Sequence, residues 1–238
     1  ILALLRGSAV NQDGKSNGFT APNGPAQQAV IQSALNMADI EAKTVDYVEC
    51  HGTGTPLGDP IEVQALAAVY GQGREGEDKI RVGSVKSNMG HSESAAGIAG
   101  IIKGVLALQN KTIPQTLHAE VPNKHIPWDQ IAVEIATKRA PWKANGSPRR
   151  LGVSSFGFSG TNAHVILEEA PTSITPSRPA ATGSLPGYPM MVSGRCSATV
   201  EDQLRQLAEH LSANPELGIE DVAYTLATQR MHFQSRAS

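Results

Sequence analysis

Along the first 170 residues of the chain, short apolar runs alternate with longer runs in which apolar residues recur at helical spacing. Short apolar runs predict buried strands, and longer runs with apolar positions at helical spacing predict helices. The predicted strands span residues 1–10, 44–50, 80–85, 151–156 and 164–167, and the predicted helices span 25–37, 59–70 and 92–109. This alternation is typical of an α/β fold, in which helices cover the faces of a sheet.

The run from residue 92 to 109 differs from the other predicted helices because apolar residues cover almost its whole circumference. A helix of this kind is buried on all sides, so we expect a core helix packed between two sheets. Gly97, Gly100 and Gly104 fall on one stripe, which allows close contact with a neighbouring backbone. A membrane span is the alternative, but the run is shorter than the roughly 18–20 residues that a span needs and contains Lys103.

The composition changes close to residue 170. Residues 171–189 are dominated by Pro, Ser, Thr, Ala and Gly, which is typical of a linker. Beyond them, a short strand at 190–192 and two amphipathic helices, within 200–211 and 219–226, predict a small α/β region. A segment with so little apolar content rarely folds alone, so we expect this tail to dock on another part of the protein.

These patterns divide the chain into a main domain at 1–170, a linker at 171–189 and the start of a small domain at 190–238. The chain begins with Ile1 inside an apolar run and ends at Ser238 with no closing element. We therefore expect both ends to be cut from a longer protein.

Composition narrows the classes of function. A formal net charge of −2 with 18% charged residues gives no electrostatic reason to bind nucleic acid or an anionic membrane. Cys50 and Cys196, the two cysteines, make no disulfide framework and indicate a reducing compartment, so we expect a cytoplasmic protein.

Two histidines stand in glycine-rich loops that each follow a predicted strand and precede a predicted helix. His51 lies in the sequence Cys-His-Gly-Thr-Gly-Thr, and His91 closes the sequence Lys-Ser-Asn-Met-Gly-His that begins at Lys86. The glycines remove bulk, so a substrate can approach the backbone and the hydroxyls of Thr53 and Thr55. We expect the two imidazoles and the ammonium to stabilise a developing negative charge, with His91 held neutral by the positive end of the following helix.

Other interpretations of these loops fit less well. A single histidine after a strand is most often structural, but two in matched loops joined by Lys86 favour a functional pair. The Gly52-Thr-Gly54 spacing lacks the third glycine of a dinucleotide-binding loop, and no Walker lysine follows. Neither H-E-x-x-H nor paired C-x-x-C motifs occur, which argues against a metal site. Cys50 ends an apolar run on the face opposite to its neighbour, so we expect a buried structural cysteine.

Taken together, the motifs resemble those of the β-ketoacyl synthase (ketosynthase) family, which has the thiolase-like fold. The segment 51–60 resembles the loop of the family's first active-site histidine, 86–91 the loop of its lysine and second histidine, and 157–164 its C-terminal glycine-rich turn. The loops 11–14 and 20–24, and Ser159, resemble modular polyketide synthases in particular. The match spans about residues 1–170, and the tail resembles the linker between a ketosynthase and an acyltransferase domain.

The resemblance implies a layered α/β/α fold of the thiolase type for the main domain, followed by a small α/β linker region. It also implies a decarboxylative Claisen condensation between an acyl group on a cysteine thiolate and a malonyl-type extender. In that reaction His51 and His91 would donate hydrogen bonds to the extender thioester oxygen, and Lys86 would hold the second histidine in place. Contacts to pantetheine or substrate would come from Thr53, Thr55, Phe158 and Asn162, with the Phe158 N–H completing an acyl oxyanion hole and its ring gating the acyl pocket.

The resemblance further implies the partners. The extender arrives on the phosphopantetheine arm of an acyl carrier protein, and the chain itself binds no cofactor. An acyltransferase domain would follow in the longer protein, and a complete ketosynthase would form a homodimer.

The sequence departs from a complete ketosynthase at the nucleophile. The family's Cys-Ser-Ser motif does not occur, and neither Cys50 nor Cys196 matches it; at Cys50 the family commonly has a small residue such as alanine. The chain therefore resembles the C-terminal half of a ketosynthase, and we expect that it condenses nothing by itself. A non-condensing scaffold that binds carrier protein is the alternative, and a thiolase is disfavoured by the loop from Lys86 to His91 and by the linker.

Overall fold

The computed structural model of the chain describes residues 1–14, 22–144, 146–171 and 187–238. The chain forms two compact units, Ile1–Thr172 and Ser173–Ser238. Most of the predicted linker lies outside the described residues, and so do residues 15–21 of the loops that follow the first strand.

The first unit is built on a mixed six-stranded sheet, beside which lies a pair of short strands. The strands of this unit are β1 (Ala3–Gln12), β2 (Tyr47–Glu49), β3 (Ile80–Gly83), β4 (Thr112–Ile113), β5 (Val133–Ile135), β6 (Ala140–Pro141), β7 (Arg150–Phe156) and β8 (Thr161–Glu169). Six of them form the main sheet in the order β1-β8-β7-β2-β3-β5, while β4 pairs with β6. Strands β7, β2, β3 and β5 run parallel, whereas β8 is antiparallel to both β7 and β1. The carboxyl ends of the parallel strands therefore share one edge of the sheet.

Helices cover both faces of this sheet. They are α1 (Gly24–Ala38), α2 (Gly58–Tyr70), α3 (Lys86–Met89) and α4 (Ala96–Gln109), with 3₁₀ turns at Ala42–Thr44 and Glu93–Ala95. The first two pack on one face around Leu66 and Ile166, and α4 packs on the other around Leu151 and Leu167. Neighbouring residues of a strand point to opposite faces, which is why Ile166 and Leu167 belong to different cores. The α/β/α layering of the thiolase type is confirmed.

The start of α1 shows how local sequence sets a boundary. Asn23 precedes the helix, and its side-chain oxygen accepts the Ala26 N–H at 3.2 Å. Pro25 then occupies the first turn, where a missing N–H costs nothing. The helix begins within one residue of the predicted position.

Helix α4 corrects one prediction. Its glycine stripe does face the sheet: a Cβ added to Gly104 would lie 2.6 Å from Leu151 Cδ1. The expectation of burial on all sides is wrong, however, because Ile98, Ile102 and Leu106 are 54%, 55% and 52% exposed. Among the described residues, α4 packs on the main sheet through its glycine-bearing side and also contacts β4, while the side that carries these three residues stays exposed. In the part of the chain that the structure describes, no helix has the length and apolarity needed to cross a membrane.

The second unit contains the short elements predicted for the tail. These are β9 (Val192–Gly194), α5 (Ser197–Ala213), α6 (Ile219–Thr228) and β10 (Ser235–Ala237), and the two strands pair antiparallel. The predicted strand lies two residues later than expected, and both predicted helices are present. Val192, Val200 and Ala223 are buried, so the apolar core of this unit is small.

Candidate functional site

The predicted site residues follow strands that end at the same edge of the main sheet. His51 comes two residues after β2, and Lys86 and His91 follow β3, which is the parallel neighbour of β2. Strand β7 lies on the other side of β2 and ends at Phe156, just before the turn that carries Phe158. Parallel pairing therefore brings three separate loops of the sequence to one place.

The two histidine rings meet at this edge. Their centroids are 5.4 Å apart and their planes are inclined by 81°. The ring of Phe156 lies 5.7 Å from that of His51 and packs beside it. The structure thus brings together the two imidazoles that the sequence singled out.

Backbone N–H groups set the tautomer of both rings. The N–H of Phe156 donates to Nδ1 of His51 at 3.4 Å, and the N–H of Glu93 donates to Nδ1 of His91 at 2.9 Å. A ring nitrogen that accepts a hydrogen bond carries no proton, so the neutral imidazole has its proton on Nε2. Both rings are therefore arranged as Nε2–H donors.

The environment of His51 keeps its ring neutral. Burial, with smaller electrostatic contributions from Lys86 and His91, lowers the pKa of His51 to about 4. At neutral pH this imidazole therefore donates a hydrogen bond without carrying a charge.

The predicted contact of His91 with a helix dipole is wrong. Helix α4 begins at Ala96, and the 3₁₀ turn Glu93–Ala95 lies between the helix and the histidine. Glu93 has a φ of 49°, in the left-handed region, and its N–H bonds the ring. Since the effect of a helix dipole fades beyond its first turn, a local backbone N–H orients His91 instead.

A buried carboxylate that sequence reasoning missed holds the His51 loop. Glu62 of α2 is 4% exposed, and its two oxygens accept the N–H groups of His51 at 2.7 Å and Gly52 at 2.8 Å. Burial raises its pKa to about 7. The sequence did contain a sign of this role: Glu62 is a charged residue on the apolar side of α2, in line with Leu66 and Val69 at i+4 and i+7.

A second buried carboxylate holds the Lys86 segment. Glu49 of β2 is 1% exposed and accepts the backbone N–H of Val85. It also accepts from the Tyr47 hydroxyl at 2.8 Å and forms an ion pair with Lys103 at 2.7 Å. This pairing explains why the otherwise apolar α4 contains a lysine. A glutamate inside the apolar strand 44–50 was the sequence signal for it.

The ammonium of Lys86 interacts electrostatically with both carboxylates. Burial lowers the pKa of its ammonium, and the negative charges of Glu62 and Glu49 act in the opposite direction. Its side chain lines a cavity of about 460 Å³ that also reaches Cys50. Lys86 is therefore placed to balance the charge of the groups that hold the two loops.

The histidines themselves line a neighbouring cavity of about 550 Å³. Thr53 and Glu62 belong to the walls of both cavities. The structure brings six of the seven predicted site residues into the histidine cavity, and Lys86 into the adjoining one: the six are His51, His91, Thr53, Thr55, Phe158 and Asn162.

The four side chains predicted to contact the substrate differ in exposure and in how far they are already hydrogen-bonded within the protein. The hydroxyls of Thr53 and Thr55 are 3.4 Å apart, and the second also accepts the Gly58 N–H at 3.0 Å. Phe158 is 78% exposed at the tip of its turn. Asn162, in contrast, is buried, and its amide donates to Asn11 at 3.1 Å and to Asp13 at 2.7 Å, so these bonds join β8 to the end of β1.

The two cysteines differ in their surroundings. Cys50 is buried, its Sγ lies 3.9 Å from the Val48 carbonyl oxygen, and burial raises the pKa of its thiol well above the usual value. The prediction of a structural cysteine is confirmed. Cys196 belongs to the second unit, where it is exposed and lies 3.2 Å from the Thr199 hydroxyl. Within the described ranges, no three His, Cys, Asp or Glu side chains are grouped to hold a metal.

Two family models match almost the whole chain. Residues 2–120 match the family described as "Beta-ketoacyl synthase, C-terminal domain", and residues 122–237 match "Ketoacyl-synthetase C-terminal extension". The boundary between the two matches falls inside the first structural unit, between β4 and β5.

Curated relatives match over the full length of the chain. It is 54% identical to erythronolide synthase EryA2 of Saccharopolyspora erythraea over 238 residues, which are all of this chain and 6% of that protein. It is 53% identical to polyketide synthase GfsA of Streptomyces halstedii over 239 aligned residues, covering all of this chain and 3% of that protein. The chain thus spans a small fraction of the length of these relatives.

Solved structures give the same result. The ketosynthase from module 6 of the bacillaene synthase of Bacillus subtilis 168 matches with a TM-score of 0.68 and 35% identity, over 99% of this chain and 40% of that one. The oxazolomycin ketosynthase domain OzmH KS7 of Streptomyces albus JA3453 matches with a TM-score of 0.67 and 35% identity, over 99% of this chain and 41% of that one.

Proposed function

The chain belongs to the β-ketoacyl synthase family, and we propose that it forms part of a modular polyketide synthase that catalyses decarboxylative Claisen condensation. In this reaction a malonyl-type thioester loses CO₂, and the resulting enolate carbon attacks the carbonyl of an acyl group bound to a cysteine. A carbon–carbon bond forms, the carbon–sulfur bond to the cysteine breaks, and the cysteine leaves as a thiolate. The product is a β-ketoacyl thioester on the carrier.

The arrangement of the two imidazoles is the observation that supports this function. Loss of CO₂ places negative charge on the thioester oxygen of the extender. Nε2–H donors from His51 and His91, with ring centroids 5.4 Å apart, suit that oxygen because fixed donors stabilise charge where it develops. Each ring is oriented by a backbone N–H, so little reorganisation is needed during the reaction.

The remaining groups position these donors. The Glu62 carboxylate holds the backbone at His51, and Glu49 holds the backbone at Val85, next to Lys86. The Lys86 ammonium balances their charge from the adjoining cavity, so we assign it a positioning role rather than contact with the extender.

The phosphopantetheine arm of the substrate enters the cavity that the two histidines line. Hydroxyls of Thr53 and Thr55 contact the phosphopantetheine that an acyl carrier protein supplies, and the exposed ring of Phe158 lies at the acyl side. The synthase works in the cytoplasm as a homodimer with a downstream acyltransferase domain. Similarity to modular polyketide synthases supports these partners.

The 238-residue chain alone lacks a competent nucleophile. The buried thiol of Cys50 has a raised pKa, which disfavours the thiolate that condensation requires. Cys196 matches no ketosynthase motif. We therefore propose that the parent synthase, meaning the polyketide synthase containing this chain, supplies the cysteine.

A condensation assay tests the proposal. The parent synthase is expected to convert an acyl thioester and a malonyl-type extender on carrier protein into a β-ketoacyl product with release of CO₂. The isolated chain is expected to yield none. Absence of product from the intact parent would contradict the proposed function.

A further inference from the structure

Gln27 is a buried polar side chain in the wall of the histidine cavity. It lies in the first turn of α1, is 2% exposed, and lines the cavity together with His51 and His91. Its side-chain oxygen Oε1 has no hydrogen-bond partner among the residues that the structure describes. Burying an unpaired carbonyl oxygen destabilises the folded state, so a residue that does so calls for an explanation.

Other polar groups of the cavity wall are already bonded within the protein. Their partners are His51 and Gly52 for Glu62, Asp13 and Asn11 for Asn162, and Gly58 for Thr55. The two histidines use Nδ1 as an acceptor and present Nε2–H. Within the described residues, the wall therefore offers two ring donors, the hydroxyls of Thr53 and Thr55, and one buried acceptor without a partner, that of Gln27.

The chemistry of an amide oxygen defines the ligand group that fits it. The oxygen accepts a hydrogen bond and cannot donate one, so the ligand must bring an N–H or an O–H. A charged ammonium is a poor fit, because a buried cation needs a free carboxylate. The two carboxyl groups that line this cavity are engaged within the protein: Glu62 accepts two backbone N–H groups, and Asp13 accepts the Asn162 amide. A neutral amide N–H or hydroxyl therefore matches this position.

We infer that Gln27 accepts a hydrogen bond from a neutral donor on the thioester substrate, either an amide N–H of the pantetheine arm or a hydroxyl of the acyl chain. This inference rests on the proposed function, since it takes the histidine cavity to be the thioester site. Gln27 is then a binding residue that fixes the substrate relative to the two ring donors. Its removal weakens binding and leaves the chemical step unchanged.

The test compares Gln27→Met in the parent synthase with Gln32→Met. Methionine has nearly the same shape as glutamine but no amide, and Gln32 is an exposed residue of the same helix. Steady-state KM and kcat are measured with three thioesters of one chain length: a plain S-ethyl thioester, its N-acetylcysteamine counterpart with an amide N–H, and a 3-hydroxyacyl S-ethyl thioester. We expect Gln27→Met to raise KM about three- to tenfold for a substrate with the bonded donor, with kcat unchanged.

The pattern of KM values identifies the donor. A rise confined to the N-acetylcysteamine thioester assigns the amide, a rise confined to the hydroxyacyl thioester assigns the hydroxyl, and a rise for both assigns both. An equal rise for the plain thioester, or no rise for any substrate, would overturn the inference. If the unaltered parent processes none of the three, it is the proposed function that fails.

Discussion

The Glu62 carboxylate binds the backbone of His51, accepting its N–H at 2.7 Å, and binds Gly52 through its other oxygen at 2.8 Å. A side chain from helix α2 thus sets the conformation of the loop after strand β2. Gly52 permits the tight turn, since it has a φ of 45° and a Cβ there would lie 2.8 Å from the Cβ of Ser84.

Replacing Glu62 by glutamine leaves one oxygen to serve two N–H groups. We expect CO₂ release by the parent synthase to fall about tenfold or more, because an unpaired buried N–H costs about 1–3 kcal/mol and the turn carrying His51 shifts. Glu75→Gln, in an exposed loop, is the matched control. Unchanged CO₂ release in Glu62→Gln would show that this carboxylate does not position His51.

The ion pair between Glu49 and Lys103 gives a prediction about stability. Lys103→Met removes the cation 2.7 Å from a carboxylate that is 1% exposed, so an uncompensated charge stays buried. We expect the free energy of unfolding in urea to fall by about 3–5 kcal/mol. Lys124→Met, at an exposed position, should change it little. Adding Glu49→Gln to Lys103→Met should restore part of the loss; if the double variant is less stable than Lys103→Met, the pairing does not carry the effect.

Histidine 164 makes the fold sensitive to acid. Its ring is fully buried between the hydroxyls of Tyr70, 2.7 Å from Nε2, and Ser154, 3.0 Å from Nδ1. Burial lowers the pKa of His164 from 6.5 to about 3. Between these values the unfolded chain binds a proton that the folded chain excludes, so stability falls as the pH decreases, by up to about 1.4 kcal/mol per pH unit.

Urea unfolding at pH 7 and pH 5 measures this contribution. His164→Gln should show a smaller loss of stability on acidification than the unaltered chain, whereas His210→Gln, which changes an exposed ring, should behave like the unaltered chain. The comparison between variants cancels the effects of the other titrating groups. Glu62 is one of them: because its pKa is raised, its contribution to stability falls as the pH increases, which is opposite to the effect of His164. Equal pH slopes with and without His164 would contradict the assignment.

The cysteines should differ in reactivity. Cys50 is buried with a raised thiol pKa, whereas Cys196 is exposed and the hydrogen bond with Thr199 lowers its thiol pKa. A thiol reagent should therefore label Cys196 in the native chain and both cysteines after unfolding. Cys196→Ser should abolish native labelling. Rapid native labelling of that variant would show that Cys50 is accessible after all.

Much of the first unit could be predicted from sequence, because its elements are long and periodic. The apolar runs at 44–50 and 80–85 contain β2 and β3, and the strand-to-helix loops that follow them carry the histidines to one edge. The apolar pattern of α4 could not reveal which side is covered, since periodicity reports polarity and not what packs against a helix. Ile98, Ile102 and Leu106 are apolar and yet exposed, so their polarity did not predict their burial.

The supporting groups of the site were harder to predict for a physical reason. A carboxylate in an apolar run signals that it has partners, but its sequence position does not say which N–H groups it accepts. Glu62 and Glu49 reach backbone groups 11 and 36 residues away, through contacts that only the folded chain creates. The 3₁₀ turn that separates His91 from α4 was also hidden, because it continues the helical pattern of polar and apolar residues.

The central claim is that the Nε2–H groups of His51 and His91 together stabilise the enolate formed by decarboxylation. The most direct test measures CO₂ release from a malonyl-type extender on carrier protein, and acyl loading of the cysteine, in His51→Ala and His91→Ala variants of the parent synthase. His125→Ala, at an exposed position, is the control. We predict that each site variant loses about 100- to 1,000-fold in CO₂ release while acyl loading is retained. CO₂ release at the unaltered rate in both variants would contradict the account.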